Sequence, residues 1–333
     1  MPMLATVDQF LSRTPSTFPG GASALSDLLA HIGLVGKHLA EDLRRAGLLN
    51  ILGTTGQTNV QGEAVKELDE IANDTCVKVL RESRIVCALA SEEMERPVIL
   101  PEGSSRGPYM VLFDPLDGSS NTDVNMPLGS IFSVVANRQV GQSPSERDLV
   151  RKGTEQVAAG YLFYGSSTMM VFTSGQGVHG FTLDPGIGEY LLSHEAIAMP
   201  ACGKVYAANE GNSHKWSGGL RKYFDYLKTP DKATGRPYST RYSGCLVADV
   251  HRILLGGGIY LYPGELDKPD GKLRLLYEAN PLAMIVEQAG GKASTGMMRI
   301  MDVEAKALHQ RVPLIIGSRD DVTKAEAYIQ GRA

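Results

Sequence analysis

The strand-like run Tyr109-Met110-Val111-Leu112-Phe113 leads straight into Asp114-Pro115-Leu116-Asp117-Gly118-Ser119-Ser120-Asn121. A continuous run of this kind fits a buried strand, and here it delivers two carboxylates into a turn. Carboxylates are hard oxygen ligands suited to Mg²⁺, which takes one or two of them together with substrate phosphate. Gly118, Ser119 and Ser120 offer backbone N–H groups and hydroxyls to phosphate oxygens. Pro115 fixes its own φ and biases Asp114 toward extended backbone. The same residue types also build ordinary surface turns. The strand in front, and further acidic residues at comparable places in the chain, point beyond a plain turn.

Those further acids are Glu92 and Glu93, which close the apolar run 85–90, and Glu278, which precedes Asn280-Pro281. Asp69 and Glu63 lie near the glycine-spaced stretch 53–62, which lacks the lysine of a phosphate-binding P-loop and reads as a mobile loop. Carboxylates massed at one place repel one another and take up protons unless a cation neutralises them. Two or three Mg²⁺ ions would do so and would polarise a phosphoryl group. Taken singly, each acid could instead solvate a loop. Lys272 and Arg274 sit two apart, on one side of the chain if that run is extended. They could hold a phosphate or line a solvated strand. Tyr242, after Arg241, and Tyr262 could present hydroxyls to the same anion or simply pack.

The chain has 333 residues, 43% of them hydrophobic, and a net charge of −4. That is enough to bury a sizeable core in two domains or one composite one. The charge argues against broad attraction to nucleic acid or an acidic membrane. Cys76, Cys87, Cys202 and Cys245 form no C-x-x-C pair and read as buried free thiols, which suits a reducing cytoplasm. No signal peptide or transmembrane segment is expected.

Residues 1–21 read as a polar arm, followed by an α/β domain over 22–198 and a second over 199–333. Leu25, Leu28, Leu29, Ile32, Gly36, Leu39 and Leu43 predict an amphipathic helix with its stop at Gly47. Val65, Leu68, Ala72, Cys76 and Val79 predict a second helix, with Asp69 off its apolar face. Strands are expected over 85–90 and 131–135, then hairpins over 156–164, 168–173 and 178–183. Beyond residue 200, strands (204–208, 259–262, 314–316) alternate with helices (216–227, 245–255, 281–289, 321–329).

Phe113-Asp114-Pro115-Leu116-Asp117-Gly118-Ser119-Ser120 resembles the signature of the metal-dependent, lithium-sensitive sugar phosphatases. Thr58-Asn59-Val60-Gln61-Gly62, Val247-Ala248-Asp249-Val250-His251-Arg252, Gly258-Ile259-Tyr260-Leu261-Tyr262-Pro263, Gly271-Lys272-Leu273-Arg274-Leu275-Leu276-Tyr277-Glu278-Ala279-Asn280-Pro281 and Gln288-Ala289-Gly290-Gly291 closely resemble class I fructose-1,6-bisphosphatase. The match runs in order from about residue 22 to 320. The resemblance implies an α/β fold in five layers, α/β/α/β/α, assembled as a homotetramer. It implies hydrolysis of the 1-phosphate of fructose 1,6-bisphosphate in gluconeogenesis, with sedoheptulose 1,7-bisphosphate as an alternative or additional substrate. A catalytically idle sugar-phosphate scaffold is the remaining alternative.

By the same resemblance, Glu92, Asp114, Asp117, Glu278 and the Leu116 carbonyl would ligate Mg²⁺, or Mn²⁺ in its place, and Glu63 would hold a further metal. Asp69 and Glu93 would position and deprotonate the attacking water. Gly118, Ser119 and Ser120 would cradle the 1-phosphate, with Arg274 near it. Asn209, Tyr242, Tyr262 and Lys272 would bind the 6-phosphate, with Arg241 arriving from a neighbouring subunit. Asn212 stands where many animal members carry a phosphate-binding tyrosine. The family's AMP site would involve Ala22-Ser23-Ala24-Leu25-Ser26, Pro108-Tyr109 and Ala136, which lack its lysine and arginine. Weak or absent AMP inhibition is therefore expected. The segment 141–152 contains no cysteine, so the redox-regulatory insertion of chloroplast forms has no counterpart.

Overall fold

The apolar stripe at positions 25–43 forms the inner face of a long helix in the computed structural model, which describes residues 5–13, 19–58, 64–100, 107–138 and 142–333. A short helix α1 (Val7–Leu11) lies within the expected N-terminal arm and packs on α2 (Gly21–Leu49). Helix α2 runs through Gly47 and stops at Asn50, whose φ of 55° makes the left-handed turn. A glycine inside a helix costs about 1 kcal/mol relative to alanine, so its presence there calls for a packing reason. Gly36 is needed for contact: a Cβ there would lie 2.4 Å from the Tyr190 hydroxyl. The stretch expected to be a mobile loop contains strand β1 (Thr54–Thr58), paired antiparallel with β2 (Ala64–Lys66). Helix α3 (Glu67–Glu82) follows, so Val65 belongs to a strand and not to the helix.

Eight strands make the larger sheet: β3 (Val86–Ser91), β4 (Val98–Ile99), β5 (Tyr109–Asp117), β6 (Leu128–Ala136), β7 (Gln156–Tyr164), β8 (Thr168–Thr173), β9 (Val178–Asp184) and β10 (Glu189–His194). Their spatial order is β10-β9-β8-β7-β6-β5-β3-β4. All pairs are antiparallel except β3 with β5. Both faces of β3, β5 and β8 are buried, which is why their sequences are continuous apolar runs rather than alternating ones. A four-residue helix, α4 (Glu146–Leu149), precedes β7.

The second half contributes a smaller sheet from β11 (Val205–Ala207), β12 (Ser239–Thr240), β13 (Ile259–Tyr262), β15 (Lys292–Ser294) and β17 (Leu314–Gly317), in the order β12-β11-β13-β17-β15. Strand β14 (Leu273–Arg274) pairs separately with β16 (Arg311–Val312). The helices are α5 (Gly218–Lys228), α6 (Leu246–Gly256), α7 (Asn280–Gln288) and α8 (Arg319–Ile329). Helices α2 and α3 cover one face of the large sheet. Helices α6 and α7 fill the space between the two sheets, and α5 and α8 cover the far face of the small one. The result is the expected five-layer α/β/α/β/α stack.

Three apolar cores separate the layers. Leu25, Leu29, Val111 and Phe132 belong to the first, Tyr161, Val247, Leu282 and Ile316 to the central one, and Trp216, Phe224 and Val322 to the third. Among the described residues no helix is long and apolar enough to cross a membrane.

Candidate active site

The parallel pairing of β3 and β5 sets the site. Its register aligns Ser91 with Phe113, so the next residues, Glu92 and Asp114, leave the two strands as neighbours. The Glu92 N–H donates to the Phe113 carbonyl at 3.0 Å. In a regular strand Asp114 and Asp117, three apart, would face opposite sides of the sheet. A register shift against β6 between Asp114↔Ile131 and Asp117↔Gly129 removes that parity. The Ser130 hydroxyl fastens the irregularity by donating to the Pro115 carbonyl at 2.7 Å, and Leu116 N–H donates to Asp114 Oδ1 at 3.0 Å.

Glu278 comes from the other half of the chain. It lies in a one-turn π-helix, Leu275–Ala279, wedged between β14 and α7, a kind of turn often found at functional sites. Its carboxylate accepts a short hydrogen bond from the Arg274 N–H. The Arg274 guanidinium forms an ion pair with Glu92. Arg274, Glu92, Asp114, Asp117 and Glu278 are all less than a tenth exposed.

This burial dominates the electrostatics. Asp114 is pushed well above the usual carboxylate range by burial first, then by Glu92, Asp117, Glu278 and Glu93. Glu92 is raised to about 9, chiefly by burial, with Arg274 opposing and Glu93 and Glu278 adding. Burial also raises Asp117, while donors on helix α6 hold it down. Among the described residues no three Asp, Glu, His or Cys groups already form a cation cage. The donor set is nonetheless the right one. It is all oxygen, converges from three chain segments, and carries mutual repulsion that divalent cations would relieve.

Beside these acids, Asp69 is buried in the first turn of α3, not turned away from its packed face as the helical pattern suggests. Its Oδ2 accepts the Lys66 N–H at 3.0 Å, and the Ser119 hydroxyl also bonds to it. Burial, with Glu93 adding, raises it to about 7. Glu93 is half-buried next to Glu92. Gly118 turns the chain with φ of 81°, and a 3₁₀ turn, Ser119–Val124, starts directly after it. Gly118 and Ser119 are half-buried and Ser120 is exposed, so the turn presents its backbone and hydroxyls toward solvent beside the acids.

The 6-phosphate candidates are more open. Tyr242 and Tyr262 are close enough to perturb one another, and burial raises Tyr242 to about 12. Asn209, Arg241 and Lys272 are exposed. Arg241 Nη1 donates to the Thr240 carbonyl at 2.6 Å. Glu63 lies outside the described residues. The Ser26 hydroxyl, at the place of the expected AMP site, donates to Asp8 Oδ1 at 2.9 Å, and Tyr109 there is buried.

Sequence reading missed the scaffold beneath the Tyr242 turn. Asn121 Nδ2 donates to the carbonyls of Ser243 and Pro127, each at 3.1 Å. Both Asp249 oxygens accept the Ser243 N–H at 3.1 Å. Cys202 is exposed rather than buried, while Cys76, Cys87 and Cys245 are buried, and all four thiols are free. The available signal was Ser243-Gly244-Cys245 just before a helical pattern, an N-cap arrangement.

Buried carboxylates that converge beside a glycine-serine turn suit metal-assisted hydrolysis of phosphate monoesters. The comparisons with known proteins narrow the class. Residues 5–195 match the family model of the fructose-1-6-bisphosphatase N-terminal domain, and residues 199–330 match that of its C-terminal domain. The chain is 50% identical to the class 1 fructose-1,6-bisphosphatase of Chlorobium luteolum over 333 residues, 99% of each chain. It is 49% identical to that of Trichormus variabilis, over 98% of this chain and 92% of the relative. The crystal structure of Leishmania major fructose-1,6-bisphosphatase in its holo form superposes with a TM-score of 0.93 at 42% identity, over 99% of this chain and 100% of that one. The chain belongs to the class 1 fructose-1,6-bisphosphatase family.

Proposed function

We propose that this chain hydrolyses the 1-phosphate of fructose 1,6-bisphosphate, giving fructose 6-phosphate and inorganic phosphate in gluconeogenesis. The observation that carries the reading is the set of buried, mutually destabilising carboxylates at the ends of β3 and β5 beside Gly118-Ser119-Ser120. Glu92, Asp114, Asp117, Glu278 and the Leu116 carbonyl would hold two or three Mg²⁺ ions, or Mn²⁺ in their place, with Glu63 as a further ligand. Such cations, when bound, neutralise the charge that develops on the transferring phosphoryl group.

The chain's own groups position and move the proton. Asp69, with a pKa near neutrality, is poised to accept the proton of the attacking water, and Glu93 beside it orients that water. The Gly118-Ser119-Ser120 turn donates hydrogen bonds to the 1-phosphate, with the Arg274 charge behind it. Asn209, Tyr242, Tyr262 and Lys272 would anchor the 6-phosphate. Arg241 is exposed, which suits its assignment to a neighbouring subunit's site in a homotetramer. Positioning and charge neutralisation account for most of the rate in phosphoryl transfer, so no covalent intermediate is required.

The domain division at residues 198 and 199 and a cytoplasmic location belong to the same reading. Steady-state phosphate release from fructose 1,6-bisphosphate and from sedoheptulose 1,7-bisphosphate, with and without Mg²⁺, tests it. Mg²⁺-dependent release from the fructose compound supports the proposal, and release from neither compound refutes it.

A further inference from the structure

Cys245 lies where the two halves of the site meet. It is fully buried and is the N-cap of α6. Its Sγ accepts the Ala248 N–H at 3.4 Å, as a capping group does. The same Sγ donates its proton to Asp117 Oδ2 at 2.9 Å, and the Val247 N–H donates to that oxygen at 2.7 Å. Oδ2 is thereby held against the start of α6, where the Leu246 N–H also bonds to the Asp117 carboxylate. Gly118 packs directly on Cys245: a Cβ at Gly118 would lie 2.6 Å from the Cys245 Cβ. On its other side, the Cys245 N–H donates to the Ser243 hydroxyl at 3.2 Å, and that hydroxyl donates to the Cys245 carbonyl, also at 3.2 Å. Ser243 adjoins Tyr242.

We propose that Cys245 is a positioning residue that aims Asp117 at the metal site and locks the 1-phosphate turn to the Tyr242 turn. Partners of a ligating carboxylate fix its orientation, and their loss costs metal affinity even though they never touch the metal. The thiol does this as a single group with two roles. It accepts from α6 and donates across to the end of β5, joining chain segments 128 residues apart. A serine hydroxyl can play both roles, whereas alanine can play neither.

The inference rests on Asp117 being a metal ligand, and the test separates the two claims. Mg²⁺ affinity is measured calorimetrically on substrate-free wild type, Cys245→Ala, Cys245→Ser and Asp117→Ala. The expected result is a loss of about 10-fold or more in Cys245→Ala, with Cys245→Ser restored to within about threefold of wild type by the argument that a hydroxyl donates and accepts. In turnover, Cys245→Ala should lower kcat and raise the Mg²⁺ requirement more than it raises KM for the bisphosphate.

Cys245→Ala with wild-type Mg²⁺ affinity, whatever its melting temperature, overturns the proposal, as does Cys245→Ser behaving like Cys245→Ala. Wild-type affinity in Asp117→Ala overturns the metal reading itself. If Cys245→Ala does not fold, the infrared S–H stretching band decides with the conservative variant alone. A band missing from Cys245→Ser should shift when Mg²⁺ is added to wild type, and a band indifferent to Mg²⁺ overturns the proposal.

Discussion

Mg²⁺ binding to the substrate-free protein should release protons, and Glu92 sets the scale. Its carboxyl is raised to about 9, chiefly by burial and against the opposing Arg274 charge, so the metal-free protein favours the protonated form at neutral pH. To ligate a cation it must ionise, and the cost of that ionisation is withheld from the binding energy at neutral pH. The apparent Mg²⁺ affinity should therefore rise between pH 7 and 9, by about tenfold per pH unit for each proton released, with Glu92 and Asp114 as the sources. The assay is calorimetric titration of Mg²⁺ in two buffers of different ionisation enthalpy at pH 7, 8 and 9. In Glu92→Gln the release should fall by about one proton. Identical heats in both buffers, with an affinity indifferent to pH, would refute the reasoning. The linked stability has a fixed sign. The metal-free folded protein holds more protons than the unfolded chain between Glu92's ordinary 4.5 and its raised 9. Its stability therefore falls as pH rises through that window, and added Mg²⁺ should restore it.

Other outcomes follow from single sites. Gly118→Ala should destabilise the protein by about 2–4 kcal/mol in urea unfolding, from left-handed strain plus overlap with Cys245; a change below about 0.5 kcal/mol would contradict the geometry. Lys272→Ala should raise KM about tenfold or more by losing a charge-assisted phosphate contact, with kcat little changed. An unchanged KM removes Lys272 from the site. His251, stacked on Phe163 and hydrogen-bonded through Nδ1 to the Tyr161 hydroxyl, is lowered by burial from 6.5 to about 4. Its contribution is complete above pH 6.5 and is lost as pH falls through about 4, amounting to about 3 kcal/mol. Denaturant titrations between those values should show a shallower pH slope in His251→Asn, and equal slopes would exclude it. AMP at micromolar concentration should leave turnover unchanged; full inhibition abolished by Ser26→Ala would overturn that expectation.

The continuous apolar runs at 109–113 and 85–90 were legible because strands buried on both faces need no alternation. The helical stripe at 25–43 was legible for the complementary reason that only one face is buried. What stayed hidden depends on contacts between distant segments. Asp69 looks solvent-facing by helical phase, yet it is buried because β5 and the Ser119 turn fold over the first turn of α3. The strand β10 escaped notice because it pairs at an edge of the large sheet, with mixed burial and a weak pattern. The π-turn at 275–279 has no periodic signature, and only tertiary packing reveals how it swings Glu278 toward Asp114. Cys245 read as one more buried thiol, since its partner Asp117 is set by the meeting of α6 with the end of β5. Arg274 read as a phosphate ligand on an extended run; the structure adds that its guanidinium pairs with Glu92.

The central claim is that Asp114 and its neighbours make this chain a cation-dependent sugar bisphosphatase. Phosphate release from fructose 1,6-bisphosphate, compared between wild type and Asp114→Ala at saturating Mg²⁺, tests it most directly. Wild type should release phosphate only with Mg²⁺ and lose that release on chelation, and the variant should fall by about 10³-fold or more, on the scale of losing a group that stabilises the transition state. Release by the variant at the wild-type rate, or none by wild type with Mg²⁺ present, would contradict it.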